Sequence, residues 1–241
     1  MRYAILSDVH GNLEALTAVL RDAADHADAF VCLGDIVGYG ADPGPCVDLV
    51  GRHCDVVVAG NHDYAVAGKL DPAWFTRYAR AAAEWTATEL PPSTQAWLGT
   101  RPLTSEVGDA TLVHASPLRP EEWDYLITPD DGFAAFAAFT TRLCFVGHSH
   151  MPGVWSLGSS GPDYAAGAVD FQLENGRRYI INVGSIGQPR DRDPRAAYAV
   201  WDVEARRIFV RRVTYDAAEA RRKIQAAGLP AFLGDRLAAG T

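Results

Sequence analysis

The stretch YAILSDVHGNLEALTAVLRDAADHADAFVCLGD, Tyr3–Asp35, decides the fold of this chain. It opens with a short apolar run that ends on an aspartate, and a segment follows in which Leu13, Leu16 and Leu20 recur at helical spacing. A second apolar run then ends on another aspartate. A strand, a helix and a strand in this order predict a right-handed crossover between two parallel strands.

The alternation continues as far as Asp63. The segment DPGPCVDLVGR, residues 42–52, begins with turn residues and predicts a short helix, and DVVVAGNHD, residues 55–63, predicts a third strand. Strands of a parallel sheet are covered on both faces, so they read as continuous apolar runs, as these do. The first part of the chain therefore predicts a parallel sheet with covering helices.

Beyond residue 100 the chain is rich in strand-like runs separated by turn residues. LTSEVGDATLVHAS, residues 103–116, predicts a hairpin, and RLCFVGHSH, residues 142–150, predicts a strand. Gly158 to Ala168 predicts a mobile loop, and Asp216 to Ala227 a closing helix. A parallel half followed by a strand-rich half predicts an α/β fold, a four-layer αββα sandwich in which two mixed β-sheets are flanked by helices.

Length and composition predict a single domain. The chain has 241 residues, of which 48% are hydrophobic, enough for one sizeable core spanning residues 1–241. The helical stretch at about residues 68–100 interrupts the strands and predicts a cap-like insertion beside any site at the strand ends. Its tryptophans, Trp74, Trp85 and Trp97, fit either a core or a surface for stacking bases.

Charge and cysteine usage narrow the functional classes. The formal charge of −8 argues against a general nucleic-acid binder, and no apolar stretch reaches the roughly 18 residues of a membrane span. Polar residues interrupt the first positions too early for a signal peptide. The four cysteines show no CxxC spacing, which predicts reduced thiols and a cytoplasmic protein.

Five predicted strands end on aspartate, histidine or asparagine. Because sites in α/β sheets form outside the carboxyl ends of the strands, these side chains are placed to converge. Taken singly, each aspartate fits a helix N-cap and each histidine fits a polar strand end. For all five strands, however, those explanations would require the same kind of residue to occur at the strand end five times by coincidence. The residues in question are Asp8, His10, Asp35, Asn61, His62, Asp63, His114, His148 and His150.

The residue types in this set suit divalent metal ions. Imidazoles and carboxylates without a thiolate favour Mn²⁺, Fe, Zn²⁺ or Ni²⁺ over a structural cysteine–zinc site. The candidates are too many for one four-coordinate ion and about right for two ions that share a carboxylate. Two adjacent metal ions clamp the attacking and leaving oxygens of a phosphoryl displacement.

The ordered blocks DVH, GD, GNHD, H and GHSH, between residues 8 and 150, resemble the signature of the calcineurin-like metallophosphoesterases. The family fold, two facing sheets flanked by helices, agrees with the fold predicted above. GDIVGYGADPGPC and NVGSIGQPRD resemble more closely a group of small bacterial and archaeal phosphoesterases, some of which cleave diadenosine polyphosphates or phosphodiesters.

The resemblance implies a role for each residue. A first metal would be held by Asp8, His10, Asp35 and His150, and a second by Asp35, Asn61, His114 and His148. His62 would protonate the leaving alkoxide, and Asp63 would orient its imidazole. A metal-bridging hydroxide would attack phosphorus in line. Two divalent ions are the implied cofactors, with Mn²⁺ expected and Fe, Zn²⁺ or Ni²⁺ as alternatives.

Departures from relatives bear on the substrate. Protein Ser/Thr phosphatases carry GDxVDRG, whose arginine grips phosphate, whereas this chain reads GDIVGYG, which disfavours a protein phosphatase. Tyr39 stands nearby and fits either a substrate contact or packing of its own loop. Arg190 fits a bidentate phosphate contact or a solvated charge cluster, and Arg119 is a further candidate.

We therefore expect a cytoplasmic dinuclear phosphodiesterase that hydrolyses small or nucleotide-like phosphate esters. A diadenosine polyphosphate hydrolase or a phosphomonoesterase is the enzymatic alternative, and a metal-bearing interaction scaffold is the non-enzymatic one. The presence of His62 argues against the scaffold, because scaffold relatives commonly replace that residue. The expected partner is a small phosphate ester, with no stable nucleic acid and no membrane; a monomer and a homo-oligomer fit equally.

Overall fold

Two six-stranded mixed sheets form the centre of the molecule, a computed structural model that describes residues 1–167 and 170–241. The strands, numbered along the chain, are β1 (Arg2–Leu6), β2 (Ala29–Cys32), β3 (Val56–Val57), β4 (Thr104–Val107), β5 (Ala110–Val113), β6 (Leu143–Val146), β7 (Gly153–Gly158), β8 (Gly161–Ala166), β9 (Asp170–Gln172), β10 (Arg178–Asn182), β11 (Ala196–Asp202) and β12 (Arg207–Val213). The first sheet has the order β3-β2-β1-β11-β12-β9, and the second has β4-β5-β6-β10-β7-β8.

Helices cover the outer faces of both sheets. They are α1 (Leu13–Ala24), α2 (Pro43–His53), α3 (Asn61–Val66), α4 (Arg77–Glu89), α5 (Pro92–Gly99), α6 (Pro129–Ala135), α7 (Ala217–Ala226) and α8 (Ala231–Asp235), with 3-10 turns at Pro72–Trp74, Pro120–Glu122, Phe136–Ala138 and Arg236–Ala238. α1 begins where the Asn12 side chain accepts a hydrogen bond from the Ala15 amide, at 3.1 Å. The four-layer αββα sandwich predicted from the sequence is confirmed.

Strand periodicity explains the layers. Along β1, Ala4 and Leu6 face the helices that cover the first sheet, whereas Ile5 points into the space between the sheets. On β6, Phe145 likewise points between the sheets, and Cys144 packs on the opposite face under α6. Since alternate side chains of a strand point to opposite faces, each buried strand supplies two cores at once.

The predicted parallel half is confirmed. β1 pairs in parallel with β2, and β2 in parallel with β3. β1 also pairs antiparallel with β11, so the last part of the chain completes the sheet begun by the first. The carboxyl ends of β1 to β3 consequently open on the same edge as those of β5 and β6 in the facing sheet, which run parallel to each other.

The region predicted as a mobile loop is largely a hairpin. β7 and β8 pair antiparallel from Gly153 opposite Ala166 to Gly158 opposite Gly161, so a tight turn replaces most of the expected loop. The serines and glycines that suggested mobility occupy this turn, which needs the positive φ of Gly161, +92°. The end of the predicted loop, Ala168, lies outside the described residues.

The segment at residues 68–100 is helical, as expected. It contains the 3-10 turn Pro72–Trp74 with α4 and α5, which pack against α2 and α3. Among the described residues, no helix is both long and apolar enough to span a bilayer. All four cysteines are free thiols, and Cys32, Cys46 and Cys144 are buried.

Candidate metal centre

The residues predicted as metal ligands converge at the carboxyl ends of five strands, drawn from both sheets. Three of these strands, β1 to β3, belong to the first sheet, and β5 and β6 belong to the second. Every one of the side chains is buried, although all are polar or charged. We call this set the metal centre: Asp8, His10, Asp35, Asn61, His114, His148 and His150.

The backbone of the metal centre is strained in a repeated way. Five of its residues adopt left-handed φ angles between 49° and 63°, namely Asp8, His10, Asp35, His148 and His150. Such conformations cost roughly 1 kcal/mol or more per non-glycine residue and persist where the surroundings fix them. Here the Asp8 amide donates to the Gly34 carbonyl at 3.1 Å, and the His10 amide to the Asp35 carbonyl at 2.9 Å.

Three of the imidazoles are oriented by backbone carbonyls. The Nδ1 atoms of His10, His114 and His150 lie 3.1, 2.9 and 2.6 Å from carbonyl oxygens, those of Val37, Leu33 and Gln188 respectively. A hydrogen bond at Nδ1 fixes the ring tautomer and leaves Nε2 with a lone pair. Each of these rings therefore presents Nε2 to the middle of the metal centre.

The donor atoms form two adjoining clusters. In the first, His150 Nε2 lies 3.2 Å from Asp8 Oδ1 and 3.1 Å from His10 Nε2. In the second, His114 Nε2 lies 3.2 Å from Asp35 Oδ2 and from His148 Nδ1. The carboxylate of Asp35 is shared, because His10 Nε2 lies 3.6 Å from the same Asp35 Oδ2.

Several buried atoms of these clusters lack a hydrogen-bond donor or acceptor. Among the described residues, Asp8 Oδ1, Asn61 Oδ1 and His148 Nε2 are buried without such a partner. Unsatisfied buried polar groups are rare and costly, so each requires an explanation. The unpaired oxygens of Asp8 and Asn61 fit coordination of divalent cations, whereas His148 faces the donor cluster through Nδ1.

Two glycines let the backbone approach the ligands. A Cβ at Gly60 would lie 2.0 Å from Asp35 Oδ1, and a Cβ at Gly147 would lie 2.0 Å from Ser7 Oγ and 2.4 Å from Asp8 Oδ2. Real Cβ atoms do not approach other heavy atoms so closely, hence any larger residue would displace a carboxylate. Glycine at these positions keeps the Asp8 and Asp35 carboxylates in place.

Protonation at Asp8, Asp35 and His148 matches that of a ligand set, whereas His114 carries a proton that a bound cation would displace. Burial opposes ionisation of Asp8 and Asp35, but the neighbouring histidines prevail and hold the pKa of both carboxyls below their usual range. Burial, together with the neighbouring cationic imidazoles, lowers the pKa of His148 to about 3. Burial also opposes protonation of His114, but Asp35 outweighs it and raises the pKa to about 9. Anionic carboxylates and neutral imidazoles are the forms that bind metal.

His62 lies beside the metal centre and is buried. Its side chain is only 3% exposed, and burial lowers the pKa of its imidazole to about 4. Its ring packs against Tyr39 and Phe75, with centroids 4.6 and 4.7 Å away. His62 also falls within a possible ligand cluster with His10 and Asp35, although the sequence predicts it to be a non-ligand.

Asp63 does not orient the His62 ring as predicted. Its Oδ1 accepts hydrogen bonds from the Ile36 and Val37 amides at 2.9 and 3.2 Å, and its Oδ2 accepts from Gly60 at 3.1 Å. His62 Nδ1 is buried and has no hydrogen-bond partner among the described residues. Because both carboxylate oxygens are used by the backbone, Asp63 instead fixes the loop that follows Asp35. Burial and the Asp35 charge raise the pKa of Asp63 to about 7.

The three predicted substrate residues differ in position. Tyr39 contacts the metal centre, because its ring centroid lies 4.6 Å from that of His10. The Arg190 guanidinium lies 5.6 Å from the Tyr39 centroid. Arg119, by contrast, is exposed and pairs with Glu122 at 2.6 Å and with Asp124 at 3.4 Å. The structure thus brings two of the three to the centre, and Arg119 stays a prediction.

Several aromatic side chains line a cleft beside the metal centre. Most of them were not predicted from the sequence. A cleft of about 310 Å³ is bordered by Asn61, His62 and His148 on one side, and its other side carries several aromatic rings. Tyr125 stacks on the His148 ring with centroids 4.0 Å apart. We call these residues the aromatic wall: Tyr39, Trp74, Phe75, Trp123 and Tyr125. Of the three tryptophans noted in the sequence, Trp74 lines the cleft, whereas Trp85 and Trp97 pack in hydrophobic clusters.

The loop between β10 and β11 forms hydrogen bonds with the backbone that carries the metal centre. The Asp8 carbonyl accepts hydrogen bonds from Ser185 Oγ at 2.9 Å and from the Gly187 amide at 2.8 Å. The Asn182 amide group donates to the Gly147 carbonyl at 2.7 Å and to Ser149 Oγ at 2.9 Å. Ser149 is thereby held away from the metal centre. The motif NVGSIGQPRD was the sequence signal for this loop.

The fold and the site together define a class, an α/β sandwich with a buried histidine–carboxylate cluster at its strand ends. The calcineurin-like phosphoesterase superfamily domain matches residues 1–206. An uncharacterized protein of Methanocaldococcus jannaschii is 39% identical, over 98% of this chain and 97% of its own length. The crystal structure of a metallophosphoesterase from Sphaerobacter thermophilus is 42% identical, with a TM-score of 0.87 and coverage of 100% of this chain and 99% of that chain.

A more distant structure shares the fold. A hypothetical protein of Pyrococcus horikoshii OT3 has 22% identity and a TM-score of 0.79, with coverage of 100% of this chain and 98% of that chain. The chain described here belongs to the calcineurin-like phosphoesterase superfamily. It is a metal-dependent phosphoesterase, a hydrolase that acts on phosphate ester bonds.

Proposed function

We propose that this protein is a dinuclear phosphodiesterase for small, nucleotide-like phosphate esters. The observation that carries the proposal is the pair of adjoining donor clusters that share Asp35. A first ion would be held by Asp8, His10, Asp35 and His150, and a second by Asp35, Asn61, His114 and His148. The buried atoms without partners, Asp8 Oδ1 and Asn61 Oδ1, fall one in each set.

Divalent ions bound there would polarise the phosphoryl oxygens and activate a water molecule. Mn²⁺ suits the mixed nitrogen and oxygen donors, and Fe, Zn²⁺ and Ni²⁺ are alternatives that the same donors accept. No cysteine belongs to the proposed ligand set. Metal content after growth or reconstitution with each ion identifies the preferred one.

His62 is the proposed acid that protonates the leaving alkoxide. Its ring borders the cleft together with Asn61 and His148, so it lies next to the proposed ligands and within reach of a bound ester. Burial lowers the pKa of the His62 imidazole, so a proton on this ring would pass readily to the more basic leaving alkoxide.

The aromatic wall supports a nucleotide-like substrate. Tyr39, Phe75 and Trp123 line the cleft, and the Trp74 side chain is 85% exposed although it belongs to the same wall. Exposed rings beside a phosphate site offer stacking surfaces to a base, and stacking tolerates any base because each has a π face. The wall therefore favours esters with a flat organic group over small alkyl phosphates.

We also propose a domain organisation and a location for the protein. We propose a single domain over residues 1–241, in which residues 68–100 form a cap-like insertion that brings Trp74 and Phe75 to the cleft. Reduced thiols support a cytoplasmic location. Size-exclusion chromatography with light scattering distinguishes a monomer from a homo-oligomer.

Hydrolysis of bis-p-nitrophenyl phosphate with added Mn²⁺ tests the proposed function. We expect metal-dependent release of p-nitrophenol that a chelator abolishes and Mn²⁺ restores. A substrate panel of monoesters, cyclic nucleotides and dinucleoside polyphosphates then separates the diesterase from a monoesterase or a polyphosphate hydrolase. Absence of turnover with every divalent ion and every ester would refute the proposal.

A further inference from the structure

Two arginines from distant parts of the chain meet on one buried glutamine. Arg190 Nη2 and Arg236 Nη1 donate hydrogen bonds to Gln188 Oε1 at 2.8 and 2.9 Å. Gln188 is only 1% exposed, and its Nε2 is buried with no hydrogen-bond partner in the part of the chain that the structure describes. One neutral amide oxygen therefore holds two guanidinium groups side by side.

Neither arginine of this pair has an aspartate or glutamate partner in the described part of the chain. Within residues 1–167 and 170–241, no Asp or Glu side chain lies within 4.0 Å of Arg190 or Arg236, whereas the nearby Arg221 pairs with Asp235 at 2.8 Å. Arg236 Nε donates a hydrogen bond to the Thr241 carbonyl oxygen, which leaves its Nη groups directed at Gln188. Burial and the Arg190 charge lower the pKa of Arg236 to about 10. Two like charges held together in a partly buried place, with no aspartate or glutamate of the described residues beside them, form a site suited to an anion.

The pair borders the metal centre. The Arg190 guanidinium lies over Tyr39, and the Tyr39 ring lies 4.6 Å from both the His10 and the His62 rings. The Arg190 amide also donates to the His150 carbonyl at 3.3 Å. An anion at the pair would therefore sit next to a phosphoryl group held at the metal centre.

We infer that Arg190 and Arg236 form a subsite for a second phosphoryl group of the substrate. Guanidinium forks match the oxygens of a phosphoryl group and bind them bidentately. The inference rests on the proposed metal-dependent hydrolysis, and among the substrates of the panel it favours the polyphosphates, esters with two or more linked phosphoryl groups. The group to be attacked occupies the metal centre, and the adjoining one contacts the arginines.

The matched ligands methylphosphonate and methylenediphosphonate test this subsite without any hydrolysis. Their affinities for the metal-loaded protein are measured by calorimetry, with two metal ions per chain and no excess of free metal. We expect the diphosphonate to bind more tightly than the monophosphonate, and Arg236→Gln to reduce that ratio about tenfold. The control Arg222→Gln, which removes an exposed arginine that pairs with Glu219, should leave the ratio unchanged. An unchanged ratio in Arg236→Gln would overturn the inference.

Gln188→Glu supplies a second variant. A carboxylate at this position places a negative charge on the oxygen that both arginines share, so we expect the folded protein to lose the diphosphonate preference while methylphosphonate still binds. A preference that survives in Gln188→Glu would also overturn the inference.

Turnover separates the subsite from the proposed function. If bis-p-nitrophenyl phosphate is hydrolysed and Arg236→Gln leaves the affinity ratio unchanged, only the proposed subsite is wrong. If no ester is hydrolysed, the proposed function is wrong, and the affinity ratio still decides whether the arginine pair binds a second phosphoryl group.

Discussion

The metal centre and the aromatic wall face the same cleft but are built in opposite ways. The metal centre uses buried side chains on strand ends, and backbone hydrogen bonds fix three of its imidazoles. The wall uses rings from short turns, and Trp74 at 85% exposure has few neighbours to hold it. Trp123, like Arg119 before it, adopts a left-handed φ that turns the chain toward the cleft.

This difference separates chemistry from selectivity. Side chains that bind ions must keep their positions within fractions of an ångström, and a sheet edge with fixed tautomers provides that order. Side chains that contact varied organic groups need surface area more than rigidity. Substitutions in the metal centre should therefore change the rate of catalysis, and those in the wall should change substrate preference.

The largest effect is expected for Asp35→Asn. The change keeps the shape of the side chain but removes the charge that the two donor clusters share, so at least one ion should be lost and kcat/KM should fall by about 10³-fold or more. Elemental analysis and kinetics measure both quantities. Asp48→Asn on the exposed face of α2 is the control. Full metal content and near-normal turnover in Asp35→Asn would show that Asp35 is not shared between ions.

His62→Ala should reduce the rate without removing metal. Loss of a general acid lowers the rate by about 10²- to 10⁴-fold for an ester with a poor alkoxide leaving group. The loss should be much smaller for p-nitrophenyl esters, because p-nitrophenolate leaves without a proton. Metal content is the decisive second measurement. If it falls, His62 belongs to the ligand cluster with His10 and Asp35, and the acid role is wrong.

Gly60→Ala tests the close contact behind Asp35. The added Cβ would displace the carboxylate it meets at 2.0 Å, so we expect a loss of about 1–3 kcal/mol in the free energy of unfolding together with weaker metal binding. Gly44→Ala in α2 meets its nearest atom at 3.8 Å, so stability should be unchanged or rise by up to about 1 kcal/mol. Urea denaturation compares the two. Equal free energies of unfolding for Gly60→Ala and Gly44→Ala would mean that the loop at Gly60 accommodates the added Cβ without cost.

Trp74→Ala should give the smallest effect and the most selective one. Because the side chain is 85% exposed, the free energy of unfolding should change by no more than about 0.5 kcal/mol. KM should rise about three- to tenfold for a nucleoside p-nitrophenyl phosphate, since stacking on the base is lost. KM for methyl p-nitrophenyl phosphate should not change. Equal effects on both esters would contradict a base-stacking role for the wall.

The metal centre was predictable from sequence because the relevant rule is local. Asp8, Asp35 and His148 each follow an apolar run, and the ends of parallel strands meet at one edge. Asp63 was misread because its partners, the Ile36 and Val37 amides, lie in a different loop whose path no local pattern reveals.

The wall and the arginine pair depended on longer-range geometry. Trp123 and Tyr125 reach the cleft only through the left-handed backbone around residues 119–123, and Arg236 only through the packing of the last helices. Such placements follow from tertiary contacts rather than from residue type or spacing. The same limit explains why a β-hairpin was taken for a mobile loop at Gly158.

The bracing of Asp8 by the loop between β10 and β11 has a consequence for how the protein opens. This loop passes from one sheet to the other, and its Ser185 and Gly187 hold the Asp8 carbonyl. A fluctuation that frees Asp8 must therefore disturb a loop anchored in both sheets, so amide protons at the ligand loops should exchange with solvent through larger and rarer openings. Amide protons of the aromatic wall should exchange through small local openings, so hydrogen exchange should be slower at the ligand loops than at the wall.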